Sequence, residues 1–206
     1  MEFKDIQEIT LQNAAYNAFK NATDFAYEAE LFYKLKSYGH SASLSVLGIE
    51  ELGKALGYKL LYRFKIIPIQ GRINFDPNIL LKNLQSSHLT KQSIAVIFSA
   101  LSQFSSVEFQ DLKKGLDKKG VTISYDNKTK KFDNFLEVTE TFSTVKKWKN
   151  EIDQIPDFDK LKQFGFYVEI VGKERINIPR KMRANNAYQP LKVLKKMVNH
   201  FEDSAF

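Results

Sequence analysis

The sequence is poor in the residues that build several common kinds of site. Among its 206 residues there is no cysteine, and there are three histidines, one tryptophan, five prolines and nine glycines. The absence of cysteine excludes a disulfide framework, Cys-ligated zinc, an iron–sulfur cluster and a thiol nucleophile. A metal site would have to use histidines and carboxylates, and three histidines are few for zinc. We therefore expect no metal and no cofactor.

The chain also lacks a long apolar run. No stretch approaches the roughly 18 consecutive apolar residues that indicate a membrane span, and the acidic start Met1–Asp5 is unlike a signal peptide. These features predict a soluble, cytoplasmic protein with no membrane partner. Apolar residues make up 43% of the chain, which excludes wholesale disorder, and the formal net charge of +7 permits an anionic partner such as RNA without requiring one.

The first half of the chain has the apolar spacing of long helices. A seam with steps of three and four predicts a first helix over residues 5–36, and a turn is expected at 37–40. A second helix is predicted from Ser41 to Phe64, apolar nearly all round, which is typical of the centre of a bundle. A short helix over 78–85 and a third long helix from Ser86 to Lys119 follow. The seam of the first helix consists of Leu11, Ala15, Ala18, Ala22, Phe25, Ala29 and Phe32.

The second half is less regular. Its predicted elements are a hairpin or loop over 121–131, a fourth helix over 134–150, a short strand over 166–171, a basic loop between Pro179 and Pro190, and a final helix from Leu191 to Phe201. The fold class is therefore mostly α, a bundle of four to five helices with a small irregular C-terminal part. We expect the bundle to span residues 1–155, and residues 156–206 to form an extension packed on the same domain.

Residues 47–57, with the sequence LGIEELGKALG, place three glycines and a charged trio inside the predicted second helix. Glycine costs about 1 kcal/mol relative to alanine in a helix, so we expect close approach of another helix or of a ligand to offset that cost. Lys54 follows Glu50 by four positions and Glu51 by three, and can reach both carboxylates. The trio is either a functional group on an apolar face or an ordinary helix ion pair at a solvated edge, and the spacing leaves both open.

His88 and Lys91 form a second group. Their spacing of three places them on one face near the N-terminus of the predicted third helix, where backbone amides favour anions. An imidazole and an ammonium at that position would suit a phosphate, and His88 could act as a general acid or base near neutral pH. The alternative is a surface histidine in a first helical turn, which is also our interpretation of His40 and His200.

Basic residues cluster in three places. Lysine and arginine with interleaved aromatic residues can hold a phosphate backbone and stack bases, although such clusters are more often solvated faces. The candidates for RNA contact are Lys147, Trp148, Arg180, Lys181 and Arg183, and further basic residues are Lys146, Lys149, Arg175, Lys192, Lys195 and Lys196. The phosphate-loop, GxGxxG, GxSxG and HExxH motifs are absent from the sequence.

In order and separation, these motifs resemble the AbiV family of abortive infection proteins. The resemblance is carried by the alanine-rich first helix, the run Ser41–Ala55, the HLTK string at 88–91, and the segment Gly165–Glu169, where Glu169 stands in place of the family's usual aspartate. It implies a HEPN-like helical bundle and a role in defence against phage or other viruses. The family's motif residues fall on Glu50, Glu51, Lys54, His88 and Lys91.

Many HEPN proteins are metal-independent endoribonucleases that act as homodimers with the active site between protomers. The resemblance therefore implies RNA cleavage and a dimer, although the usual HEPN ribonuclease motif, an Arg followed a few residues later by a His, is absent here. Cleavage without a metal needs a base, an acid and cations that stabilise the phosphorane charge.

We assign these roles as hypotheses. His88 would be the base or acid, Lys54 and Lys91 would supply positive charge, and Tyr167 would stack a base or hold the site closed. Glu51, and secondarily Glu50, would orient Lys54 and His88. Two alternatives remain open: a non-catalytic HEPN module that arrests translation or binds a phage protein, nucleic acid or nucleotide, and a helical interaction protein whose Glu–Lys pairs are structural.

Overall fold

Helices account for most of the residues that the computed structural model describes, which are 2–66, 76–101, 124–126, 131–133, 158–166, 169–170, 176–177 and 181–202. In this part of the chain a short 3-10 turn at Phe3–Asp5 precedes six α-helices. They are α1 (Glu8–Lys34), α2 (Tyr38–Ile66), α3 (Pro77–Ser86), α4 (His88–Leu101), α5 (158–166) and α6 (Ala184–Glu202). The mostly α fold is confirmed, with one helix more than the predicted four to five. None of the described helices has the length and apolar character that a membrane crossing needs.

Two small antiparallel strand pairs accompany the helices. Strand β1 (Ser124–Asp126) pairs with β2 (Lys131–Asp133), and β3 (Glu169–Ile170) pairs with β4 (Ile176–Asn177). The first pair agrees with the hairpin alternative for residues 121–131, although Asp126, expected in the turn, lies in β1 and the second strand runs on to Asp133. The second pair contains the core of the predicted strand over 166–171, while Phe166 itself ends α5.

Helix α2 occupies the centre of the bundle. It packs along α1 and also contacts α3, α4 and α6. Its buried residues lie on all sides, as the nearly continuous apolar pattern predicted. The core around it includes Ile49, Leu52 and Leu61 of α2, Phe158 of α5, and Leu194 of α6.

Helix α1 presents an alanine face to α2. Its buried residues are Leu11, Ala15, Ala18, Ala22, Ala26 and Ala29. Small side chains let two helix backbones approach closely, which explains why the seam is built from alanine. Phe25 and Phe32 of the predicted seam are half-buried.

The connection between α1 and α2 is shorter than predicted, and the predicted turn over 37–40 is misplaced. The chain turns at Leu35–Ser37, where Lys36 has a φ of 60°. The Ser37 carbonyl accepts the Ser41 N–H at 3.0 Å, so residues 38–40 already belong to α2. Gly39 is therefore not a helix breaker. It is a buried residue at which another helix packs.

Helix α6 begins earlier than predicted, at Ala184 instead of Leu191. Pro190, expected to end the preceding loop, is buried inside the helix. A proline in a helix removes one backbone hydrogen bond to the residue four positions earlier. That residue is the exposed Asn186, and the helix continues through the proline without this bond.

Two predictions lie outside the described residues. They are the fourth helix over 134–150 and the continuation of the third helix beyond Leu101 to Lys119. The division of the chain at residue 155 stays a prediction.

Candidate functional site

Helices α2 and α4 touch at Gly53. A methyl group at this position would overlap the backbone carbonyl of Lys91 in α4. Methyl groups at Gly48 and Gly57 would instead meet the side chains of Leu194 and Leu84. The three glycines of residues 47–57 are thus each explained by the close approach of a different helix, as predicted. The Gly53 contact brings the first turn of α4 next to Glu50.

Glu50 is the centre of a charge cluster. Its side chain is only 4% exposed. Its Oε2 accepts a hydrogen bond from His88 Nδ1 at 2.7 Å and lies 3.8 Å from Lys91 Nζ. Its Oε1 accepts from Gln92 Nε2 at 3.0 Å and from Lys162 Nζ at 2.9 Å. A buried carboxylate is tolerated when its oxygens are paired, and both oxygens of Glu50 are paired here.

His88 connects this buried carboxylate to the surface, because its own side chain is 51% exposed. An ionised carboxylate can only accept hydrogen bonds, so the contact with Glu50 places a proton on His88 Nδ1. In the neutral imidazole, Nε2 then carries no proton and can accept one. Glu50, and not Glu51, is the carboxylate that orients His88.

Lys162 of α5 is a site residue that the sequence analysis missed. It lies 112 positions after Glu50 in the chain. Its Nζ lies 3.0 Å from Asp159 Oδ1 in addition to its bond with Glu50. It is also 3.1 Å from His88 Nδ1, but because that nitrogen's proton goes to Glu50, the ammonium and the imidazole share the carboxylate instead of bonding each other.

Helix α5 is held against α2 by a second close glycine contact. A methyl group at Gly165 would overlap the Gly39 carbonyl and the Ser43 hydroxyl, and Ser43 Oγ donates to the Lys162 carbonyl at 2.7 Å. Gly165 follows Lys162 by three positions, as Gly53 follows Glu50. In both pairs the charged residue lies three positions before the glycine and therefore shares its helix face, so each close glycine contact brings a charged side chain to the same junction.

Lys91 lies behind the site, with a side chain that is 5% exposed. Burial lowers the pKa of Lys91, against the opposing effect of the Glu50 carboxylate. Its contribution is a positive charge behind Glu50, because its burial keeps it from direct contact with a large ligand.

Lys54 forms its ion pair with Glu51. The expectation that Lys54 reaches both carboxylates is wrong, because both oxygens of Glu50 are turned to α4 and α5 and are paired there. The charges of Lys54 and Glu51 nevertheless act on the pKa of Lys91. Of the predicted catalytic residues, the structure brings Glu50, His88 and Lys91 together, and α5 adds Lys162 and Asp159. The Glu51–Lys54 ion pair lies beside this cluster on α2.

The Glu50–Lys162 pair is ionised near neutral pH. Burial raises the pKa of Glu50, but the hydrogen bonds from Lys162 and His88 outweigh that effect, and the pKa lies below its usual value of 4.5. Burial likewise lowers the pKa of Lys162, but the bonds to Glu50 and Asp159 outweigh it, and the pKa lies above 10.5.

These two shifts predict a loss of stability at both ends of the pH range. The contribution of Glu50 is present above its unfolded-state pKa near 4.5 and is lost as the pH falls through the lower folded-state pKa. The contribution of Lys162 is present below 10.5 and is lost as the pH rises through its folded-state pKa. Urea unfolding at a series of pH values measures the loss of unfolding free energy at both ends of the range. We expect Glu50→Gln to reduce the loss at acidic pH. An equally large acidic loss in this variant would show that other carboxylates cause it.

Glu50, His88 and Asp159 could also suggest a metal centre, since one ligand atom of each lies within 4.8 Å of the others. The Lys162 ammonium contacts all three, at 2.9, 3.1 and 3.0 Å. It therefore occupies the position that a divalent cation would take, and a metal would have to displace it. The donor set fits an internal ion cluster better than a metal centre.

A comparison with protein-family models finds a match to HEPN_AbiV, described as AbiV, over residues 10–70. This match supports an assignment to the AbiV family of the HEPN superfamily. The matched residues include nearly all of α1 and all of α2, and so contain Glu50, Glu51 and Lys54. No curated protein and no solved structure is similar enough to match. The match indicates a function of the abortive-infection, HEPN type.

Two of the predicted RNA-contact residues belong to the described part of the chain. Lys181 and Arg183 are exposed just before α6. Lys195, from the last basic cluster, binds Glu30 of α1 at 2.7 Å and so joins two helices. The other predicted RNA contacts, Tyr167, Lys147, Trp148 and Arg180, lie outside the described residues.

Proposed function

We propose that this AbiV-family protein is an antiviral, phage-defence protein of the abortive-infection type that acts as a metal-independent endoribonuclease. The observation that supports cleavage best is the 2.7 Å hydrogen bond from His88 Nδ1 to the buried Glu50 carboxylate. An imidazole held in one tautomer by a buried carboxylate, with its second nitrogen at the surface, is the arrangement of a general base. The protein is proposed to act in the cytoplasm as a homodimer.

In the proposed reaction, His88 Nε2 takes the proton of an RNA 2′-hydroxyl. The 2′-oxygen then forms a bond to the adjacent phosphorus, the bond from phosphorus to the 5′-oxygen breaks, and the leaving oxygen takes up a proton from solvent. The products are a cyclic phosphate and a free 5′-hydroxyl. Glu50 stabilises the imidazolium that forms, as a buried carboxylate does for a catalytic histidine.

The charges of the cluster favour the transition state over the ground state. The ammonium groups of Lys54, Lys91 and Lys162 face an equal number of carboxylates, from Glu50, Glu51 and Asp159. With all six groups ionised, the cluster is neutral before the reaction, and it becomes positive when His88 accepts a proton. Positive charge thus develops together with the negative charge of the phosphorane, which is the condition for catalysis by electrostatics.

His88→Ala tests this proposal. We expect cleavage of total cellular RNA and protection against phage to fall by about a hundredfold or more, since general base catalysis typically contributes that much. The half-exposed position of His88 predicts a folded variant with a nearly unchanged thermal midpoint. His200→Ala on α6 serves as the matched control and keeps full activity. Equal cleavage by the His88 variant and the wild type would remove His88 from the mechanism.

A second candidate function is a non-catalytic HEPN module that arrests translation or binds a phage protein, a nucleic acid or a nucleotide. The observation that favours it is the full pairing of Glu50, because a carboxylate bonded to α4 and α5 also serves as a structural joint. Expression in a host separates the two candidates. A module of this kind arrests growth with intact RNA, and its His88→Ala variant arrests growth equally well.

A further inference from the structure

Three aromatic rings near the N-terminal end of α2 have no role in the mechanism above. His40 stacks on Phe32 of α1, with ring centroids 5.4 Å apart and an interplanar angle of 28°. It also meets Phe166 of α5 at 6.1 Å and 72°. His40 is exposed, and so is Phe166, at 36%. We refer to Phe32, His40 and Phe166 as the ring platform.

The ring platform is held in place from several sides. Ser37 Oγ lies 2.9 Å from His40 Nδ1 and so orients the imidazole. Phe166 follows Gly165, whose contact with α2 positions the end of α5. A preorganised aromatic surface loses little conformational entropy when a ligand stacks on it.

The ring platform lies close to the proposed catalytic group. Lys162 and Phe166 are four positions apart and therefore share a face of α5, separated by one turn, or about 6 Å along the helix axis. At one end of this turn Lys162 contacts Glu50 and lies near His88, and at the other Phe166 contacts His40. About one or two nucleotides of an extended strand can span such a distance.

Positive charge accompanies the rings. Lys36 is exposed in the turn after α1, four positions after Phe32. Lys34, which ends α1 and is also exposed, is paired with Glu30 at 3.1 Å, so Lys36 is the cation offered to a phosphate at this end of α1. Aromatic rings with neighbouring lysines are the combination that binds single-stranded nucleic acid, because the rings stack on bases while the cations attract phosphates.

We propose that the ring platform stacks an unpaired base of single-stranded RNA whose neighbouring phosphate lies at His88. This proposal rests on the proposed function and names its substrate class. Bases inside a duplex stack on one another and do not present their faces to a protein, so the ring platform selects unpaired segments such as loops and single strands.

Binding measurements with ring variants test this inference. Phe166→Leu keeps an apolar side chain but removes the ring, and Phe166→Trp keeps a ring. Tyr16→Leu is the control, because Tyr16 is an exposed aromatic at 56%, sixteen positions before Phe32 on α1, or about 24 Å along the axis. All variants carry His88→Ala so that the RNA stays intact. The probes are an oligoadenylate that contains 2-aminopurine and an abasic oligomer that keeps only the sugar–phosphate chain.

We expect Phe166→Leu to bind the oligoadenylate about tenfold more weakly and to lose the quenching of 2-aminopurine, while Phe166→Trp and Tyr16→Leu bind normally. The abasic oligomer should bind all variants equally. Equal oligoadenylate affinity of Phe166→Leu and Tyr16→Leu would overturn the inference, and so would an equal loss with the abasic oligomer. If binding depends on the Phe166 ring but cleavage does not depend on His88, the stacking site stands and the cleavage proposal fails. If cleavage depends on His88 but binding does not depend on the ring, the cleavage proposal stands and the stacking site is refuted.

Discussion

Replacing Glu50 with alanine lowers the free energy of unfolding by about 3–5 kcal/mol, which is the usual cost of removing one partner from a buried ion pair. Lys162 and Lys91, whose side chains are 13% and 5% exposed, lose the carboxylate that compensates their burial. His88 loses its hydrogen bond at the same time, so we expect the proposed RNA cleavage to fall even under conditions where the variant is folded. Urea unfolding measures the stability, and single-turnover cleavage at low temperature measures the activity.

Glu51→Ala is the matched control for this variant. Glu51 is the adjacent residue on the same helix, but its pair with Lys54 lies on a partly exposed face, where the two side chains are 16% and 28% exposed. Pairs of this kind contribute about 1 kcal/mol or less. Similar losses of stability in the two variants would show that the cluster around Glu50 is no more important than a surface ion pair.

Gly53→Ala is the second substitution with a large expected effect, and we expect it to lower the free energy of unfolding by about 3 kcal/mol. Alanine favours a helix over glycine by about 1 kcal/mol, so propensity alone predicts the opposite sign. The added methyl group overlaps the backbone carbonyl of Lys91, which cannot rotate away as a side chain can. Helix α4 must therefore shift, and His88 moves with it away from Glu50.

Gly57→Ala distinguishes this effect from a general intolerance of larger residues in α2. Its methyl group meets only the side chain of Leu84 among its nearest neighbours, which adjusts at a cost of about 1 kcal/mol. Thermal unfolding gives the stability of both variants, and nitrogen NMR of the imidazole reports whether His88 keeps its hydrogen bond. If Gly53→Ala is as stable as Gly57→Ala and keeps that bond, the contact does not position the site.

The helices of the N-terminal half could be predicted because each one buries a face that repeats with the helical period. The seam of α1 and the all-round apolar pattern of α2 are direct consequences of this packing. The position of the turn could not be predicted in the same way. Glycine is common in turns, but it is also common in helices where another backbone packs closely. The sequence alone does not show which of these two roles Gly39 has.

Part of the site could also be predicted. Glu50 and His88 were both candidates, but Glu51 was expected to orient the histidine. Gly53 and Gly57 follow Glu50 by three and seven positions and therefore share its buried face, which is the pattern that separates Glu50 from Glu51.

Lys162 could not be found from the spacing that pairs residues along one helix. Its partner Glu50 belongs to another helix, 112 positions away, and the two meet only because α5 packs on α2 through Gly165. Contacts of this kind depend on tertiary packing, and local periodicity carries no information about them.

The distribution of Glu50's partners along the chain has a consequence for protein synthesis. The last of them, Lys162, is translated long after the helix that carries Glu50. While the nascent polypeptide is still shorter than this, the carboxylate lacks one of the two lysines that lie beside it in the described part of the chain, and α5 is absent from the side of His88. The ribosome, which is itself built largely of RNA, therefore meets the completed cluster only after most of the protein has been made.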